Sequence, residues 1–223
     1  MRGNRILTAL VLLLAVCCTA AAQTFQVKMG GGVATHYADS RVIGAFKAGM
    51  AYEYEFNQKW TFSPGLMIYG KGWKSPDQTV PFLTPDGQPE YDEEGNQRMG
   101  VMSRSTSANY LEVPLLMSYY LRTDESRYVV FSAGPYVACG LTGKVTTKGD
   151  TSREGSEKMY YEGKTFKEPG ARRFDAGLQC MVGYQFASSL IVGIETDLGF
   201  LKTHRDGGRN VSAIISLSYR LGK

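Results

Sequence analysis

The sequence predicts an all-β protein, an eight-stranded antiparallel up-and-down transmembrane β-barrel with a polar, filled lumen and two long extracellular loops. Three observations predict it. Eight segments alternate apolar and polar residues, the connections between them alternate short and long, and the first residues have the pattern of an export signal.

Arg2 and Arg5 precede an apolar run from Ile6 to Val16, and Ala20, Ala21 and Ala22 offer a small-residue cleavage site before Gln23. Residues 1–22 therefore read as a signal peptide and residues 23–223 as one barrel domain. The apolar run falls short of the roughly 20 residues a spanning helix needs. Cys17 and Cys18 raise a lipoprotein as an alternative, but Val16 and Cys17 are poor residues ahead of a lipidated cysteine. No later apolar run could cross a bilayer as a helix, so insertion has to be by strands.

The apolar phases follow in order. The first is Phe25, Val27, Met29, Gly31 and Val33; the second runs on even numbers from Phe46 to Phe56. The third runs from Trp60 to Ile68, the fourth from Leu111 to Leu121, and the fifth from Val129 to Leu141. The sixth runs from Phe174 to Tyr184, the seventh from Leu190 to Phe200, and the eighth from Val211 to Leu221. These are roughly 45 positions without a charge, where about nine would fall by chance at this composition. The opposite phase carries Lys28, Lys47, Glu53, Glu55, Lys71, Glu112, Arg122, Asp175, Glu195, Asp197 and Arg220.

A soluble, lipocalin-like barrel would turn the apolar phase inward, and a membrane barrel would turn it toward lipid. Aromatics near segment ends, among them Phe25, Phe56, Trp60, Tyr119, Phe174 and Phe200, favour the membrane version. So do charges of both signs deep in the segments. The short connections, Asn57-Gln58, Thr123–Ser126 and Ala187-Ser188, all fall on the side of the amino end. The long ones, 74–106 and 145–169, fall on the other. A barrel of eight strands is only wide enough to be filled by side chains. Its charges should therefore form one network, with Glu53, Glu55, Glu112, Glu195 and Asp197 facing Lys28, Lys47, Lys71, Arg122 and Arg220, and no open channel. Pro64, Pro114 and Pro135 cannot donate to a ladder, so a bulge or distortion is expected at each.

Several stretches resemble the PorT-like family of outer-membrane β-barrels of Gram-negative bacteria. They are Phe62-Ser63-Pro64-Gly65-Leu66, Asn109-Tyr110-Leu111-Glu112-Val113-Pro114-Leu115-Leu116, Gly134-Pro135-Tyr136, Gly140-Leu141-Thr142-Gly143-Lys144 and Arg173-Phe174-Asp175-Ala176-Gly177. The second is the most specific. The resemblance implies an eight-stranded outer-membrane barrel without enzymatic activity, and its namesake is linked to a protein-secretion system. The usual insertion signal favours a terminal aromatic; here Tyr219 is followed by Arg220-Leu221-Gly222-Lys223.

Candidate chemistry is sparse. A lipid-modifying barrel enzyme would need a nucleophile, a base and an orienting carboxylate. The two histidines, His36 and His204 beside Asp206, fall at the outer rim with no activated serine in view. Asp77, Asp86, Glu90, Asp92, Glu93 and Glu94 make the first long loop acidic, but the EF-hand spacing for Ca²⁺ is absent. Gly30-Gly31-Gly32 opens no helix and is no phosphate loop. Cys139 and Cys180 read as small strand residues, with a disulfide in an oxidising compartment as the alternative. The net charge of +4 comes with no basic run of the kind that binds nucleic acid.

The expectation is a monomeric, non-enzymatic outer-membrane protein without catalytic, cofactor-binding or metal-binding residues. Its partners are outer-membrane lipid and an envelope protein met through loops 74–106 and 145–169. The alternatives are an accessory part of a secretion system and a lipid-modifying enzyme.

Overall fold

The computed structural model describes residues 23–37, 40–84, 86–150, 159–187, 189–205 and 207–221. The expected signal peptide with Cys17 and Cys18 lies outside them, as do Ser188, Asp206, Gly222, Lys223 and residues 151–158 of the second long loop.

Ten strands make one antiparallel sheet: β1 (Gln23–His36), β2 (Ile43–Glu55), β3 (Trp60–Lys74), β4 (Gln78–Pro81), β5 (Met99–Asp124), β6 (Arg127–Gly149), β7 (Met159–Lys164), β8 (Phe174–Gln185), β9 (Leu190–Lys202) and β10 (Arg209–Leu221). The order β5-β3-β2-β1-β10-β9-β8-β6 closes on itself through β5–β6 pairing, and β4 and β7 flank it. Closure leaves the ring no unpaired backbone edge, the condition for a sheet to sit in hydrocarbon.

The side chains divide by phase, and this decides what the barrel is. Phe25, Met50, Ile194 and Ile215 lie on the outside at 55%, 62%, 66% and 64% exposure. Lys47, Glu53, Glu112 and Glu195 lie inside at 0–1%. A protein folding in water would hide the first set and expose the second. The soluble arrangement is therefore inverted, and lipid is the solvent that suits it.

The start of β1 at Gln23, the end of β10 at Leu221 and the tight turns share one end, the turn end. Asn57 shapes the β2–β3 connection, its Oδ1 accepting from the amides of Lys59 and Trp60 at 2.9 Å each. Glu125 and Ser126 join β5 to β6, and Ser189, at φ 63°, helps to reverse the chain between β8 and β9. The other end, the loop end, carries the long connections.

Those connections hold more strand than expected. Residues 99–106, placed in the first long loop, are the start of β5, and β6 continues to Gly149 inside the second. Val145 pairs with Thr106 and Thr147 with Arg104, so the β5–β6 ladder rises beyond the ring. β4 and β7 are added on its two sides. Met99, Val101 and Met102 put apolar residues on both phases and residues 103–106 put polar ones on both, so an alternation test misses this extension.

The expected irregularity at the prolines takes the form of distortion and not of bulges. The register shifts in β5–β6 fall at Asn109/Tyr110 and Arg122/Asp124, not at any proline. Instead, pairing lapses without a shift from Pro64/Leu115 to Met67/Glu112 and from Pro114/Tyr136 to Met117/Ala133. Pro135 keeps its place opposite Leu178 in the unbroken β6–β8 ladder, while on its β5 side it falls within the second lapse. The missing amide hydrogens remove rungs, while the neighbouring rungs hold the register.

Candidate functional site: the lumen and its two mouths

The lumen is organised as three layers of charge. Nearest the turn end, Glu53 accepts from Gln26 Nε2 and Tyr120 OH at 2.7 Å each, and Arg220 Nε lies 3.0 Å from it. The same guanidinium reaches Glu55 at 2.6 Å and the Tyr120 ring at 5.5 Å. In the middle, Lys47 Nζ meets Glu195 at 2.6 Å, Glu112 at 2.8 Å and Asp197 at 3.2 Å, and Lys28 meets Glu195 at 2.6 Å. Toward the loop end, Lys71 Nζ lies 3.0 Å from Asp175 and 3.6 Å from Glu112.

Aromatic rings complete the third layer. Lys71 Nζ stands 4.9, 5.0 and 4.8 Å from the ring centres of Tyr69, Tyr110 and Tyr136, each a cation–π contact. Asn210 Nδ2 donates to Asp175 at 2.8 Å, and the Tyr69 hydroxyl donates to Ser212 Oγ. Gly177 makes room for Tyr136, since a Cβ there would sit 2.7 Å from its ring and 2.2 Å from Leu198 O.

Most of the expected network is brought together. Arg122 is not: it lies exposed at the turn end and donates to the carbonyls of Asp124 and Glu125 at 3.1 and 2.9 Å. There it closes the hairpin rather than the lumen. Asp175 and the tyrosines are members that the sequence reading did not assign. The available signal was parity, since Tyr69 shares a phase with Lys71 and Tyr110 with Glu112.

Two clefts open at the ends. The loop-end cleft has a volume of about 690 Å³ and is bordered by His36, Trp73, Arg104, Glu168, Thr203 and His204. The turn-end cleft, about 490 Å³, is bordered by Glu55, Lys59, Tyr120, Arg122 and Arg220. Between them a cavity of about 20 Å³ near Lys28, Met67 and Met181 has space for little more than one water.

Residues 165–167 of the second long loop pack inward against Gly140 and Tyr110. This short 3-10 helix, Thr165–Lys167, presses Phe166 onto Gly140, where a Cβ would lie 2.1 Å from the ring. Phe166 packs edge-on to Tyr110 at 5.7 Å under the Arg173 guanidinium at 5.1 Å, and Thr165 Oγ1 donates to Ser107 O at 2.6 Å. Phe166→Ala removes this anchor. Faster tryptic cleavage at Lys164 and Lys167 in the folded protein is the expected result, and unchanged cleavage would place the anchor elsewhere.

The remaining candidates are held in ordinary roles. His36 stacks on Trp73 at 3.7 Å, with Thr203 Oγ1 3.1 Å from its Nε2. His204 Nε2 donates to Pro169 O at 2.6 Å. Asp77 pairs with Arg41 at 2.7 Å, and Glu90 with Arg98 at 2.8 Å. Asp92 accepts the amides of Asn96 and Glu94 at 2.8 and 3.0 Å, and these bonds hold its carboxyl below the usual range. Among the described residues no group of three or more His, Cys, Asp or Glu is arranged to hold a metal.

Cys139 and Cys180 are free thiols. On the β6–β8 ladder Cys139 faces Phe174 and Cys180 faces Ala133, six rungs away. That is about 20 Å at ~3.3 Å per residue, far beyond disulfide reach.

Comparison with known proteins agrees with this architecture. The model of a family described as outer membrane protein beta-barrel domain matches residues 21–205. Among solved structures, Neisserial surface protein A (NspA) aligns over 92% of this chain and 99% of its own, at 10% identity and a TM-score of 0.51. Ail, the attachment invasion locus protein of Yersinia pestis, aligns over 89% of this chain and 97% of its own, at 11% identity and a TM-score of 0.37. Among curated proteins no match was found.

Proposed function

Because the chain belongs to the outer membrane protein β-barrel domain family, we propose that it acts as a sealed, non-enzymatic eight-stranded barrel whose loop end faces the cell exterior and engages an envelope or surface partner. The observation that carries this reading is the filled lumen. Lys47 binds three acids at 1% exposure, and the cavity beside Lys28 and Met181 is only about 20 Å³. A pore would need water where these ion pairs stand. A catalyst would need a free base, and His36 and His204 are both engaged at the rim.

The partner surface consists of residues 74–106 and 145–169. Its described residues include the raised ladder of β4 to β7 and display Tyr91 and Tyr160 at 60% and 62% exposure. Large exposed aromatics of this kind are the usual anchors of protein contacts. The finer family reading is PorT-like, supported by Asn109–Leu116 and the accompanying Gly-Pro-Tyr and Arg-Phe-Asp stretches. On that reading the partner belongs to a secretion assembly.

Cell fractionation with photo-crosslinking tests the proposal. The protein should remain in the outer-membrane fraction after washing and migrate faster on gels before heating than after. A photoreactive residue at Tyr91 or Tyr160 should give one discrete protein adduct, and one at Lys59 on the turn end should not. Release by washing, or steady ion conductance in a planar bilayer, would overturn the sealed-barrel reading.

A further inference from the structure

The loop-end rim of β8, β9 and β10 is rich in cations. Residues 171–174 and 200–210 hold Arg172, Arg173, Lys202, Arg205 and Arg209 against one acid, Asp206. Lys202 and Arg209 are direct cross-strand partners. Arg172 lies beside them, its amide donating to Thr203 O at 2.9 Å, and the Arg205 amide donates to Gly170 O at 3.1 Å. These four side chains are exposed and make no ion pair among the described residues. Like charges placed directly opposite on a ladder disfavour the pairing. Folding alone gives no reason for that arrangement, whereas an anion between the two side chains would.

Position identifies the anion. Lys202 continues the lipid-facing phase of Phe200, and Phe174 leads β8 on the same side. Phe200 and Phe174 are exposed at 60% and 56% and mark the aromatic girdle. The cations therefore stand at the level of lipid headgroups. Several other loop-end bases are occupied: Arg41 and Lys74 share Asp77, Arg98 holds Glu90, Arg104 holds Glu168 and Lys144 holds Glu162, while the exposed Lys148, Lys164 and Lys167 belong to the raised ladder of β6 and β7 and to the 3-10 helix. The acidic hairpin 75–98 rises from β3 and β5, across the ring from β9 and β10. A like-charged cross-strand pair with Arg172 beside it thus stands on the sector of β8 to β10 that faces the bilayer.

From this juxtaposition we infer that Arg172, Lys202, Arg205 and Arg209 form a binding site for the phosphate groups of a phosphorylated glycolipid in the outer leaflet. The inference rests on the outer-membrane reading above. Guanidinium forks on Arg172 and Arg209 suit bidentate phosphate contact, and Lys202 adds a point charge between them. The acyl chains of the same lipid would lie along Phe174, Phe200 and Ile194.

The test uses the folded full-length barrel in detergent micelles, with bisphosphorylated lipid A and its dephosphorylated form as probes and native mass spectrometry as the readout. The native protein should retain the phosphorylated probe and not the other. Lys202→Ala with Arg209→Ala should weaken retention by roughly thirtyfold. Lys59→Ala with Arg127→Ala at the turn end should leave it unchanged. Heat-modifiable migration of every variant shows that the barrel has folded, so loss of binding is distinguishable from loss of the barrel. Equal retention of both probes, native-like binding by the rim variant, or salt-sensitive pairing of two protein copies in place of lipid binding would overturn the inference.

Discussion

Lys47→Met lowers the stability of the folded barrel by about 3–5 kcal/mol, the usual cost of stranding buried charges. Lys47 is the one ion-pair partner of Asp197 among the described residues, and it shares Glu195 with Lys28 and Glu112 with Lys71. The lumen holds the acids Glu53, Glu55, Glu112, Asp175, Glu195 and Asp197 against the bases Lys28, Lys47, Lys71 and Arg220. Acids are already in excess, so no spare cation can replace the lost one. Urea unfolding in micelles measures the effect. Adding Asp197→Asn should restore part of the loss, because it removes the charge that Lys47→Met leaves stranded. A single variant as stable as the native protein would show that the layer is not held by this lysine.

Leu115→Arg blocks membrane assembly, whereas Asp86→Arg does not. Leu115 points outward near the middle of the membrane-facing part of β5, and by register it lies between Pro64 on β3 and Pro135 on β6. An arginine near the bilayer midplane costs roughly 2–4 kcal/mol. The two lapsed stretches of ladder meet at this place, which leaves fewer local hydrogen bonds to offset that cost. Asp86 lies exposed in the first long loop, where a charge reversal is solvated. Comparable heat-modifiable migration of the two variants would contradict the account.

What the sequence made legible was phase. Each of the eight alternating segments lies in a strand of the ring, because inside and outside differ in solvent and selection writes that difference every second residue. Where both faces carry the same character the signal vanishes, which is why residues 99–106, apolar on both phases at first and then polar on both, read as loop although 99–102 pair with β4 and 102–106 with β6. Arg122 kept its parity but stands past the rim, where parity no longer means burial. Tyr69, Tyr110, Tyr120 and Tyr136 were obscured for a different reason. Tyrosine belongs equally to a lipid interface and to a charged lumen, and only its phase relative to Lys71 or Glu112 separates the two. The inward turn of Phe166 left no local trace, since it depends on the bare backbone at Gly140 on another strand.

Nitroxide labels at consecutive positions of β10 test the central claim most directly. Single cysteines placed from Ala213 to Ser218, in a protein with Cys139 and Cys180 replaced by alanine, report the oxygen accessibility of each site in a lipid bilayer. High accessibility at Ala213, Ile215 and Leu217, alternating with low values at Ile214, Ser216 and Ser218, is the expected result. The opposite alternation, or a uniform profile, would contradict a barrel that turns its charges inward and its apolar residues to lipid.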